Sequence, residues 1–182
     1  MLFAHDTEMN LLAAVTLVNS RYSNPMDVDR MADAEDLDNW FREHSYSYAP
    51  AATAELVEEV TALREPLHSL FTSTRDGAVD RVNAWLAEAD ALPRLVRHDD
   101  LDWHIHAEPP GSSLRTQILV ETAMAMIDVI RSDEMQRLSV CDDENCDGIV
   151  LDLSRNRSRR YCSTACGNRA AVAAYRARQA GG

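Results

Sequence analysis

The stretch CDDENCDGIVLDLSRNRSRRYCSTACGNR, residues 141–169, holds all four cysteines of the 182-residue chain. They fall as Cys141-x4-Cys146 and Cys162-x3-Cys166, two close pairs separated by 15 residues. Zinc binds four ligands in a tetrahedron and takes thiolates foremost at structural sites, so two pairs on either side of a hairpin-length spacer suit it. Four clustered thiols in a reducing compartment point to metal rather than disulfides. Four protein thiolates leave no open position for water, which makes a structural zinc the expected role and a catalytic one not.

The residues between the pairs predict the local fold. Residues 148–153 read as a strand, 154–158 as a turn and 159–161 as a return strand. Ser163 suits a helix N-cap, and an alanine-rich helix follows to about residue 179. Cys162 then precedes the helix and Cys166 sits in its first turn, the ββα arrangement of a treble clef.

Outward from this module, the charge divides. The formal net charge is −12, and every basic residue is arginine. All 30 acids lie at or before Asp152, and with 11 arginines they give residues 1–152 a charge of −19. Residues 153–182 carry 7 arginines and no acid, a charge of +7. A polyanion is therefore repelled by the body and confined to one end. Arg155, Arg157 and Arg159 alternate and share a side if their segment is extended, and Arg169 and Arg176 share a helix face. These five are the candidate nucleic-acid contacts. The competing reading is that some of the seven arginines of this segment, Arg160 and Arg169 among them, offset the charge of the zinc-thiolate site. Val172 and Tyr175 lie on an adjacent face of the helix, suited to packing on the hairpin.

Residues 1–134 read as a mostly helical domain, followed by the cysteine module over 137–180. The apolar load is Ala, Leu and Val, with 6% aromatic residues, which favours helices over sheets. Thr7 is placed to cap a first helix carrying Leu11, Leu12, Val15 and Val18, broken at 20–25. Further helices are predicted over 33–44, over 53–71 with Pro66 interrupting it, and over 76–89. Segments 95–97 and 101–106 flank His98-Asp99-Asp100 as a small β-hairpin. A long helix capped by Ser112 or Ser113 runs to about residue 131, with Leu114, Ile118, Val120, Met124, Ile127 and Ile130 on its buried side. The apolar run 11–18 is too short to cross a bilayer and no secretory leader is evident, so the expected location is the cytoplasm, with no membrane partner.

Several motifs together resemble a known family. Cys141-x4-Cys146, Leu151-Asp152-Leu153-Ser154-Arg155-Asn156, Arg160-Tyr161-Cys162-Ser163 and Cys166-Gly167-Asn168-Arg169 look like the CGNR zinc finger. Leu17-Val18-Asn19-Ser20, Leu37-x2-Trp40 and Leu63-Arg64-Glu65 resemble the ABATE domain that precedes this finger. Ser20 stands where Thr is usual, and Phe41 where Leu is common. The resemblance implies zinc on Cys141, Cys146, Cys162 and Cys166, and a role in transcription regulation. It leaves Asn168 and Arg169 open between bracing the hairpin and facing nucleic acid, and gives Gly167 close packing beside the metal loop.

Other residues offer weaker sites. His104 and His106 share a strand face, and with His98 across the turn they can begin a second metal site; the plainer reading is of ordinary strand side chains. Asn19 could contact a ligand or cap the first helix, and Arg64 could line a polar pocket or form a surface ion pair with Glu65. With His104, these form a candidate ligand pocket. There is no nucleophile elbow and no glycine-rich phosphate loop, so an enzyme is not expected. The resulting expectation is a DNA-binding regulator whose acidic domain dimerises or senses a small-molecule effector. The alternatives are a protein-interaction or RNA-associated zinc module, or a small-molecule-binding domain with an accessory finger.

Overall fold

Helix α1, His5–Tyr22, buries Leu11, Leu17 and Val18 completely. The structure, a computed structural model, describes residues 2–23, 28–46, 49–98 and 102–180. The first helix starts ahead of Thr7, whose hydroxyl does not cap it but donates to Asp128 Oδ2 at 2.6 Å. Glu8 Oε1 instead accepts the Leu2 and Phe3 N–H groups. Asp33 caps α2 (Ala34–Glu43) through the N–H groups of Glu35 and Asp36, and Leu37, Trp40 and Phe41 are buried as their spacing requires.

The pattern over 53–71 forms two helices, α3 (Ala54–Thr61), capped by Thr53, and α4 (Arg64–Phe71). Pro66 lies in the first turn of α4, where a backbone N–H has no intrahelical partner to lose. Helix α5 is Arg75–Glu88, capped by Thr74. Strands β1 (Arg94–Val96) and β2 (His104–His106) pair antiparallel with Val96 opposite His104 and Arg94 opposite His106. The predicted turn residues Asp99 and Asp100, together with Leu101 and Pro25, lie outside the described residues.

Helix α6, Leu114–Arg131, is capped by Ser113 and packs against α1, α3 and α5. Its buried set is wider than one stripe. Ala123, Met126 and Val129 are buried, while Met124, Ile127 and Ile130 are only half-buried, because a helix in the middle of a bundle is covered on several sides.

A short 3-10 turn, Met135–Arg137, leads into β3 (Leu138–Val140), which pairs antiparallel with β4 (Ile149–Leu151). This differs from the expected pairing of 148–153 with 159–161. The Asp152 carboxylate accepts the N–H groups of Ser154 and Arg159, both at 2.8 Å, and Arg157 adopts φ 49°. The chain curls around that carboxylate instead of returning as a strand, so Arg155, Arg157 and Arg159 do not alternate on an extended segment. All three residues of β4 are buried, and they divide by parity. Ile149 and Leu151 join the helical core, and Val150 packs with Cys141, Cys146 and Cys166. Helix α7, Thr164–Ala180, follows. Among the described residues, no helix is long and apolar enough to cross a membrane.

Arg64 is buried, not on the surface with Glu65. Its guanidinium donates to both Asp29 oxygens at 2.7 and 2.6 Å and to Ser20 Oγ at 3.0 Å. Burial works against the Asp29 charge, but the Arg64 guanidinium and the Met31 N–H hold its carboxyl below the usual range. Such a group adds stability above its ordinary pKa, and the gain is lost as pH falls through the folded value. Asp29→Asn is expected to cost about 2 kcal/mol at neutral pH and to flatten the acid side of the stability profile, read by urea unfolding between neutral pH and the onset of acid unfolding.

Candidate functional site

The thiols of Cys141, Cys146, Cys162 and Cys166 converge, with all four Sγ atoms within 4.8 Å of one another. Cys146 to Cys162 is 3.5 Å, Cys162 to Cys166 is 3.6 Å and Cys166 to Cys146 is 3.7 Å, and none forms a disulfide. Ligands about 2.3 Å from a tetrahedral zinc stand about 3.8 Å apart, so the set needs little adjustment to hold one. The surrounding donors also suit thiolates. The N–H of Gly148 points to Cys146 Sγ and that of Cys162 to Cys141 Sγ, both at 3.4 Å, and Ser163 Oγ donates to Cys166 Sγ at 3.2 Å. Burial pushes the thiols of Cys146 and Cys162 up, whereas at Cys166 the Ser163 hydroxyl and neighbouring thiols outweigh burial and lower it. A divalent cation at the centre favours the thiolate form of all four.

Backbone geometry builds this pocket. A Cβ on Gly148 would meet Cys162 Sγ and Ser23 Cβ, each at 2.9 Å, so only glycine fits there without displacement. At Gly167 a Cβ would touch the Tyr161 ring at 3.4 Å, an ordinary contact, so the space there is less demanding than the sequence suggests. Asp143 accepts from the Asn145 N–H and from Arg169 Nε at 2.8 Å, and Arg169 also donates to Cys166 Sγ at 2.9 Å. Burial opposes the Asp143 charge, yet the Asn145 N–H and the Arg169 guanidinium hold it below the usual range.

The candidate nucleic-acid arginines thus separate. Arg169 braces the knuckle and the helix start. Arg159 donates to the carbonyls of Leu151, Tyr161 and Cys162, closing the loop. Arg157 pairs with Glu134 at 2.7 Å while remaining half-exposed. Arg160 pairs with Asp142. Among the described residues, Arg155, Arg176 and also Arg178 are exposed and have no ionic or hydrogen-bond partner. Asn168 is exposed as well, and its side chain makes no hydrogen bond among the described residues. Val172 and Tyr175 do not pack on the hairpin; they are 48% and 58% exposed, on a stretch of α7 exposed throughout 171–179.

Asn19, Arg64 and His104 are not brought together in one pocket. Asn19 Nδ2 donates to the Ile149 carbonyl at 2.8 Å and its Oδ1 accepts the Ile149 N–H at 2.7 Å, joining α1 to β4. Its amide is thus engaged with a strand and does not cap the helix. Arg64 holds Asp29. His104 lines a separate cavity of about 210 Å³ between α1 and the β1–β2 hairpin, with His98 and His106. Asp143, Asp152 and Gly148 are site residues that the sequence does not single out for these roles; its signals are that Asp143 and Gly148 each stand two residues after a cysteine and that Asp152 lies within the Leu151–Asn156 motif.

Over residues 12–133 the chain matches the family model ABATE, described as "Putative stress-induced transcription regulator", and over 137–179 it matches the CGNR zinc finger. No curated protein matches it.

Gly148→Ala is expected to weaken zinc binding by about tenfold or more, through overlap at Cys162 and Ser23, in a competition titration against a chromophoric chelator. Asn19→Ala leaves the Ile149 N–H and carbonyl without their partner; a loss of about 2–4 kcal/mol in denaturant unfolding is expected, with faster exchange of the Ile149 amide.

Proposed function

The chain belongs to the ABATE family and ends in a CGNR zinc finger, and from that premise we propose that it is a DNA-binding transcription regulator. Cys141, Cys146, Cys162 and Cys166 hold one structural zinc. The knuckle, hairpin and helix start form a treble clef around it, and the metal fixes where α7 leaves the body. The observation that carries the reading is the set of exposed, unpartnered cations Arg155, Arg176 and Arg178 on a segment with no acid. A DNA phosphate backbone is the partner that such a face attracts, with affinity that falls as salt rises. Arg157, half-exposed on Glu134, is positioned to exchange its carboxylate for phosphate. Arg159 and Arg169 support the module and do not meet DNA. The acidic body keeps the contact at one end and serves as the sensing or dimerising part. Neither family model is that of an enzyme.

A second reading, a protein-interaction module, rests on Val172 and Tyr175. Two large apolar side chains on one exposed helix suit a partner helix or a second copy of the chain.

Fluorescence anisotropy with labelled genomic duplex fragments separates the two. Zinc-loaded protein is expected to bind at low salt. The triple variant R155A/R176A/R178A is expected to keep its zinc and to flatten the slope of log K against log salt by about 3. Absence of binding at low salt overturns the DNA reading; concentration-dependent association abolished by V172A/Y175A then supports the second.

A further inference from the structure

The β1–β2 hairpin carries a second cluster of metal-ligating side chains, remote in sequence from the cysteines. His98, His104 and His106 meet through their Nε2 atoms: His104 to His98 and His104 to His106 are each 3.1 Å, and His98 to His106 is 3.2 Å. The three rings stand edge-on or tilted to one another, with centroids 4.7, 4.9 and 5.1 Å apart, so they are not stacked; they point at a common centre.

The other ring nitrogens define the protonation pattern. His104 Nδ1 lies 2.8 Å from the Asp102 carbonyl, and His106 Nδ1 lies 2.7 Å from Glu108 Oε1. Both partners are acceptors, so both Nδ1 atoms carry the proton. Each neutral ring then presents its Nε2 lone pair to the centre. With the rings neutral, a proton on His98 Nε2 can bridge to one of them, but His104 and His106 then face each other lone pair to lone pair at 3.1 Å, a contact that an added proton or a metal cation relieves. A cation at the centre satisfies all three nitrogens at once. Glu108 is itself fixed, since its Oε2 accepts the Ala107 N–H at 3.1 Å, and the carboxylate–imidazole pair it makes with His106 is the arrangement that orients histidine ligands on zinc.

The spacing is also that of a ligand set. An ion about 2.0–2.1 Å from each of the three nitrogens sits about 1 Å above their plane, with angles between ligands of about 100°. Three protein ligands leave at least one position open, and all three histidines line the cavity of about 210 Å³ that also exposes His5, Asp6, Tyr46, Trp103 and Glu121.

We propose that His98, His104 and His106 form a second metal site, for a divalent transition metal of the zinc class, with an open position facing the cavity for water or an oxygen-donor ligand. Imidazole donors suit this class of cation and not magnesium or calcium. The site lies in the helical domain and stands whether or not the C-terminal module binds DNA.

The test is metal stoichiometry of the purified full chain after equilibration with Zn2+ and removal of loosely held ion. Wild type is expected to hold two zinc ions and H98A/H104A one. Co2+ substitution shows which site remains: the double variant is expected to keep the near-ultraviolet thiolate-to-cobalt band, which also reports that the protein is folded. Glu108→Gln, with an unchanged melting temperature, is expected to weaken the second site about tenfold while leaving the first untouched. A wild-type stoichiometry of one, or two ions retained by a folded H98A/H104A, overturns the proposal. Equal affinity in Glu108→Gln overturns the role given to Glu108.

Discussion

The pleat of β4 is the constraint on which both ends of the molecule depend. Ile149 and Leu151 reach into the helical core, and Val150 reaches into the cysteine cluster. A shift of one residue would exchange these faces and place Val150 among leucines. Asn19 blocks that shift by binding both the N–H and the carbonyl of Ile149 from α1. Cys146 and Gly148 lie just ahead of this strand, so the knuckle is fixed to the last turns of α1. A neighbouring contact, from His68 Nε2 to the Asp147 carbonyl at 2.9 Å, ties the same loop to α4. Metal binding and folding of the helical part are thereby thermodynamically linked, although the ligands all come from the C-terminal segment.

Two buried carboxylates shape what the strand begins. Asp143 fixes the turn between Cys141 and Cys146 and draws Arg169 onto the helix start. Asp152 gathers the loop that carries Arg155 and Arg157. Arg137, itself buried, closes the base of that loop by donating to the carbonyls of Asp152 and Ser154 at 2.8 and 2.9 Å. The basic end thus owes its shape to acids that stand at its border, and several of its arginines serve as internal donors.

What was legible in the sequence was local. Asp33, Thr53 and Ser113 announce helix starts because a cap acts over three residues, and Pro66 signals a new helix start because its missing N–H is tolerated only in a first turn. The cysteine spacing announces the zinc cluster directly. The partner of β4 was not legible, because choosing between 138–140 and 159–161 depends on how one carboxylate bends the intervening loop. Asn19 looked like a cap or ligand contact, since nothing near it in sequence reveals a strand 130 residues away. Arg169 shares a helix face with Arg176, which suggested a common role, but Asp143 separates their fates. The histidines could be placed on one strand face; the carboxylate and carbonyl that orient their rings could not.

Helix α7 shows what this division means for the chain in solution. Its first turn is held by Cys166 and by Ser163, whose hydroxyl and carbonyl accept the N–H groups of Cys166 and Gly167. The rest is alanine-rich and touches water on all sides. The unfavourable nucleation step of a helix–coil transition is therefore already accomplished at one end, and only propagation remains. Its length becomes a thermal quantity, growing on cooling and shrinking on warming from the end remote from the cysteines, and release of the metal returns the entire segment to the cost of nucleating alone.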